Sequence, residues 1–139
     1  MKKFSKNKNL DPKEDSFRRI TWAEYTLPNG VIIYVGNRPG PGCESEEFLN
    51  KIDGFINVTD RLVQYPKNKS YQWFPWNEGG SPTYEAIFGV LKTLNYWVNS
   101  GEYKHIYIHC DGGTHRAVSM FGFYLRGYHP EEKEKINNS

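Results

Sequence analysis

The sequence predicts an α/β domain: a central, mostly parallel sheet flanked by helices, with a hairpin at its N-terminal end. Three observations carry that prediction. The runs Phe55-Ile56-Asn57-Val58 and Lys104 to His109 are short, β-prone and largely apolar on both faces, as strands inside a covered sheet are. Two longer stretches, one after Ser81 and one after Arg116, space their apolar residues at helical intervals. Strand and helix patterns also alternate along the chain, the order in which helices carry the chain between parallel strands.

Each element has its own signal. Trp22 to Leu27 and Val31 to Val35 are β-rich runs joined at Pro28-Asn29-Gly30, which predicts a hairpin. Arg38 to Gly42 reads as a loop, and Ser45 as the cap of a short helix whose Phe48, Leu49 and Ile52 share a face before Asp53-Gly54 breaks it. Phe55 to Val58 is a buried strand. Arg61 to Gly80 has no clear period, contains Pro66 and Pro75, and reads as a long loop or a short strand flanked by loops. Ser81 as cap and Pro82 at the first helical position open a helix carrying Ile87, Val90, Leu91, Leu94, Trp97 and Val98 until Gly101. Lys104 to His109 is the second buried strand. A final helix packs through Ala117, Met120, Phe121, Tyr124 and Leu125 and stops at Gly127 and Pro130.

Composition narrows the function. The chain has 139 residues, 37% of them hydrophobic and 16% aromatic, enough for one core. Its mean hydropathy of -0.75 marks a water-soluble class. Residues 1–19 hold seven Lys/Arg against three Asp/Glu, so they read as a basic, flexible arm ahead of one domain spanning 20–139. With a net charge of +2 overall, the remaining 120 residues carry about -2, which argues against a basic nucleic-acid-binding body. The arm lacks the apolar core of a signal peptide, and no run approaches a membrane span, so a cytoplasmic location without membrane contact is expected. Two cysteines, Cys43 and Cys110, do not make a disulfide framework and suit a reduced compartment.

The chemistry concentrates in His109-Cys110-Asp111-Gly112-Gly113-Thr114-His115-Arg116-Ala117, between the second buried strand and the last helix. The carboxyl end of a buried strand is where an α/β sheet offers a ligand site, and the following helix start attracts anions. Gly112 and Gly113 carry no Cβ, so the amides from Asp111 to Arg116 can turn inward around one oxyanion. At the floor of such a ring, Cys110 is favoured as thiolate over thiol. Arg116 brings a planar fork able to grip two phosphate oxygens, which lysine does not. An inert core cysteine beside a surface arginine is the alternative account.

This order, His-Cys, two residues, Gly, two residues, Arg, resembles the signature loop of the cysteine-dependent protein tyrosine phosphatases. The runs VIIYVGNRPG and FINVTD are similar to the early strand and the central strand of the small dual-specificity branch, so the resemblance covers most of Val31 to Tyr128. It implies a phosphatase-like fold and a phosphoenzyme route: Cys110 attacks phosphorus, the loop residues Asp111, Gly112, Gly113, Thr114, His115 and Arg116 hold the phosphoryl group, and His109 supports the loop. No metal or organic cofactor is implied. The implied substrate is a phosphorylated protein or peptide, with phosphotyrosine first and phosphoserine or phosphothreonine second. An RNA 5′-triphosphatase, an inositide phosphatase and a phosphate-binding module of poor turnover stay open, RNA resting only on the basic arm. The oligomeric state is not legible.

The family also uses an aspartate upstream as general acid. In Trp73-Phe74-Pro75-Trp76-Asn77-Glu78-Gly79-Gly80, Glu78 takes that place. Trp73 and Trp76 would partly desolvate its carboxyl, and Gly79-Gly80 would let the loop close. A solvated acid near a helix start accounts for Glu78 equally well. Asp53 and Asp60 are weaker candidates for the acid, each flanking the central strand and read as serving a turn. Asp111 should point its side chain away from the pocket, yet its charge opposes highly anionic substrates. His115 is expected to face solvent on the first helical turn, or else the pocket mouth. Ala117 stands where most family members place Ser or Thr to help the thiolate leave, and Ser119 is too far along to replace it. Cys43 is a bystander. The family has further helices beyond the position of Tyr128, so the chain is compact or shortened there.

Overall fold

The computed structural model describes residues 22–39, 46–77, 79–111 and 115–132. The basic arm, Cys43, the expected cap Ser45 and residues 133–139 lie outside them. The elements are β1 (Trp22–Thr26), β2 (Ile32–Gly36), α1 (Glu46–Lys51), β3 (Gly54–Asn57), β4 (Ser70–Trp73), α2 (Tyr84–Ser100), β5 (His105–His109) and α3 (His115–Tyr128), followed by a 3-10 turn at Pro130–Glu132. They form one sheet in the order β1-β2-β5-β3-β4. β1 runs antiparallel to β2, and β2, β5, β3 and β4 are mutually parallel. The expected α/β class, the mostly parallel sheet and the hairpin are all present.

The hairpin closes through Leu27 and Val31, with Gly30 N donating to Leu27 O at 2.9 Å and Gly30 at φ 94. That is a three-residue connection with glycine on the left-handed side, where a side chain would be strained. Asn29 ties it to α2 by donating to Val98 O at 3.0 Å.

Strand side chains alternate between two cores. Ile33, Val35, Ile56, Val58, Ile106 and Ile108 pack under Val90, Leu94 and Trp97 of α2 and Ala117, Met120 and Phe121 of α3. On the other face Tyr34, Phe55 and Tyr107 meet Phe48, Leu49 and Ile52, with Tyr65 of the β3–β4 connection against them. β5 lies central in the sheet and is buried on both sides, as its apolar run requires.

Two helix ends correct the expectation. The α2 cap is Thr83, not Ser81: Thr83 is extended (φ -76, ψ 159), and its hydroxyl accepts the Ala86 N–H at 3.0 Å, the third helical amide. Pro82 therefore precedes the helix instead of opening it. α3 runs through Gly127 to Tyr128, because the backbone there keeps the ordinary helical form, and His129 N still reaches Leu125 O at 2.8 Å. The 3-10 turn is then fastened to β1 by the Tyr25 hydroxyl, which donates to Glu132 at 2.8 Å. Burial first, then the carboxylate, pushes the Tyr25 hydroxyl well above its ordinary range, so it remains a donor.

Parallel register decides where the site lies. Gly36, His109, Asn57 and Trp73, the last residues of β2, β5, β3 and β4, stand in one row. The segments that follow them gather at a single edge of the sheet.

Candidate active site

At that edge the ladder continues beyond the strands. Cys110 N donates to Gly36 O at 3.2 Å, Arg38 N to Asp111 O at 2.8 Å, Val58 N to His109 O at 3.0 Å and Phe74 N to Asn57 O at 2.8 Å. Four strand exits are thereby tied together around Cys110. The cysteine is 1% exposed and packs with Ala117 and Met120.

α3 begins at His115, five residues after Cys110, and its first turn brings Arg116 back over the same edge. Arg116 is 8% exposed. Its Nη1 donates to Trp76 O at 2.6 Å and lies 3.8 Å from Asp60 Oδ1. The arginine thus joins three of the four exits: those of β5, β3 and β4. Of the expected loop residues, Cys110, Asp111, His115 and Arg116 are placed here, with His115 exposed. Gly112, Gly113 and Thr114 lie outside the described residues.

His109 is fully buried under the loop. Its Nε2 is 2.7 Å from the Tyr65 hydroxyl and its Nδ1 is 3.3 Å from the Cys110 carbonyl. A carbonyl only accepts, so the ring proton belongs on Nδ1, and Nε2 is left to accept from Tyr65. Burial lowers the His109 pKa to about 3, outweighing the opposing backbone bond, and keeps the ring neutral. Burial likewise pushes the Tyr65 hydroxyl far above its ordinary value, so it stays a donor. Tyr65 is held by stacking on Phe55, ring centroids 4.5 Å apart.

That neutral histidine has a consequence for pH. The unfolded imidazole takes up a proton near pH 6.5, whereas the folded one resists until about 3, so stability falls as pH drops through that window. By pH 4.5 this one group is expected to cost roughly 3 kcal/mol. Melting temperature measured against pH should show the loss, and His109→Asn should flatten it. An equally steep acid limb in the variant would exclude His109 as its source.

The β4 exit is shaped by two indoles. Trp73 Nε1 donates to Thr59 O at 2.8 Å, and Trp76 Nε1 to Gly80 O at 2.7 Å. Gly80 N meets Asn77 O at 3.0 Å, closing a turn whose third position is Gly79 at φ 80. Glycine there satisfies the turn's positive φ, a need distinct from loop freedom. Glu78 itself lies outside the described residues. Phe74 lies so close over Gly89 of α2 that a Cβ there would collide with its ring.

The other carboxylates separate clearly. Asp53 accepts the amides of Lys104 and His105 at 2.8 and 2.9 Å, at the amino edge of the sheet and away from Cys110. Asp60 faces Arg116, so it belongs to the site and does more than serve a turn. The Asp111 carboxylate reaches Arg38 Nε at 2.8 Å and Arg61 Nε at 3.5 Å. Sequence reasoning missed both arginines, as it missed Tyr65. Their signal was only that Arg38 and Arg61 each follow a strand end, which marks too many residues to single them out.

No protein-family model and no curated protein matches the chain. Solved structures do. Tk-PTP in its active form is similar over 70% of this chain and 69% of its own, with a TM-score of 0.58 at 20% identity. PTPMT1 in complex with PI(5)P is similar over 81% and 78%, with a TM-score of 0.60 at 16% identity. OH1 from the Orf virus, a tyrosine phosphatase with triple substrate specificity, is similar over 86% of this chain and 64% of its own, with a TM-score of 0.56 at 13% identity. The chain has the fold of these phosphatases.

Proposed function

We propose that the chain is a phosphomonoester hydrolase working through a cysteinyl-phosphate intermediate, on phosphotyrosine and also on phosphoserine or phosphothreonine of proteins. One observation carries the reading. Cys110 ends the central strand's exit, and Arg116, six residues later on the first turn of α3, is locked back over the same edge by the Trp76 carbonyl at 2.6 Å. A buried arginine six residues after a buried cysteine, across a strand–helix junction, suits a transferring phosphoryl group and is hard to explain by packing.

In the first step the Cys110 thiolate attacks phosphorus, the S–P bond forms and the P–O bond to the leaving group breaks. Glu78 gives its proton to the leaving oxygen. With Nη1 on Trp76, Arg116 keeps its Nε and Nη2 edge for two phosphoryl oxygens, while the loop amides take the rest. In the second step water attacks phosphorus and passes a proton to Glu78, the S–P bond breaks, and thiolate and inorganic phosphate are released. Ala117 offers no hydroxyl to the departing thiolate, so this step is the slower one. A neutral His109, donating to the Cys110 carbonyl, holds the backbone beneath the nucleophile. No described helix is long and apolar enough to cross a membrane; the cytoplasmic location is part of this proposal and rests on a cysteine content that suits a reduced compartment.

The test is a turnover panel of phosphotyrosine, phosphoserine and phosphothreonine peptides, inositides and triphosphorylated RNA, with an aryl phosphate assayed against pH. The aryl phosphate and the phosphotyrosine peptide should turn over and be blocked by vanadate. The pH profile should be bell-shaped and lose its basic limb in Glu78→Gln. Preference for RNA or inositides would move the substrate assignment, and tight phosphopeptide binding without turnover would make the chain a binding module.

A further inference from the structure

The row of strand exits places one carboxylate between two arginines. β5 lies between β2 and β3, and its exit residue Asp111 is flanked by Arg38 from the β2 exit and Arg61 from the β3 exit. Arg38 is held twice, by the hydrogen bond from its amide to Asp111 O at 2.8 Å and by an ion pair between its Nε and the carboxylate at 2.8 Å. These two side chains are about a fifth exposed, so water screens their attraction only in part. Arg61 is more exposed, but its backbone is fixed: its amide donates to Thr59 Oγ1 at 2.9 Å, and its carbonyl accepts from Asn57 and Thr59 at 2.9 Å. Two guanidinium groups converging beside a phosphate cradle suit a second phosphoryl group. Here the protein's own carboxylate occupies their convergence.

We infer that Asp111 acts as a resident anion, filling the Arg38–Arg61 fork and confining the site to substrates with a single phosphate, against those with a second phosphoryl group beside the scissile one. The inference rests on the hydrolase reading above and specifies its substrate class. Charge supports it. Arg38, Arg61 and Arg116 stand against Asp60, Asp111 and the Cys110 thiolate of the proposed mechanism, which leaves no net positive charge to spare for a second phosphate. A second phosphate adds about -1.5 to -2 and finds both neighbouring guanidinium groups already paired. The Asp111 charge was expected to repel anionic substrates directly. With the carboxylate turned into the fork, it instead discriminates by withholding the arginines.

Binding reads this without turnover. In the full chain carrying Cys110→Ser, calorimetry at fixed ionic strength gives the affinities for inorganic phosphate and for pyrophosphate. Asp111→Asn should raise the pyrophosphate-to-phosphate affinity ratio about tenfold or more. Adding Arg61→Ala should remove the gain, and Asp111→Glu, which keeps the charge, should stay near the parent ratio. Asp111→Ser repeats the measurement should the asparagine variant fold poorly. In the Cys110-containing protein, the same change should improve kcat/KM for a peptide with phosphoserine beside its phosphotyrosine, relative to phosphotyrosine alone. An unchanged ratio in folded, phosphate-binding Asp111→Asn overturns the inference. Failure of the parent protein to hydrolyse either peptide overturns the hydrolase reading and leaves the binding ratio to judge Asp111.

Discussion

Cys110→Ser is expected to lose about four orders of magnitude or more in kcat on an aryl phosphate while still binding phosphate. An alcohol at this position is not ionised and cannot make the phosphorus bond of the proposed mechanism. The exchange is nearly isosteric in a side chain 1% exposed, so the packing against Ala117 and Met120 should survive and the melting temperature should move by only a few degrees. The loop amides and Arg116 are untouched and should hold phosphate as before. Turnover by the folded serine variant at near the parent rate would show that Cys110 is not the nucleophile.

Arg116→Lys should lower kcat/KM by about two to three orders of magnitude although the charge is kept. A lysine ammonium offers no planar edge for two phosphoryl oxygens while also bonding the Trp76 carbonyl. Stability should move too, because Arg116 is the tie between α3 and the β4 exit at 2.6 Å and faces Asp60 at 3.8 Å. A loss of about 1–2 kcal/mol is expected, read as a drop of several degrees in melting temperature. Arg116→Ala should cost more on both counts, since Asp60 then loses its partner. Kinetics within threefold of the parent for Arg116→Lys would remove the fork from the mechanism.

These expectations draw on two kinds of information in the molecule. The strands and helices are written in local pattern: the buried runs of β3 and β5, the helical spacing from Val90 to Val98, and the glycine at Gly101, which takes φ 81 as a helix end requires. The cysteine–arginine spacing is local in the same sense, since Arg116 follows Cys110 by six positions and sits on the first turn of α3. Where two local signals competed, the pattern misled. Ser81 and Thr83 both suit a cap, and only the position of the Ala86 amide chose between them. Gly127 reads as a stop, but a glycine ends a helix only where the backbone turns left-handed, and here α3 runs on to Tyr128.

The remaining parts of the site have partners far away in sequence. Tyr65 meets His109 across 44 positions and Arg116 meets Trp76 across 40, while Arg38 and Asp111 follow different strands. None of these pairs leaves a periodic trace, because a single long-range contact has no period. By itself the sequence determined an α/β domain and led to the expectation of a phosphate-binding junction at Cys110 to Arg116, since spacing, glycine and helix start are properties of neighbouring residues. Only the tertiary structure decided that His109 is neutral and bound by Tyr65, that Arg116 holds the β4 exit, and that Asp111 lies between two arginines. Those outcomes follow from the parallel register that puts Gly36, His109, Asn57 and Trp73 in one row, and register is set between strands.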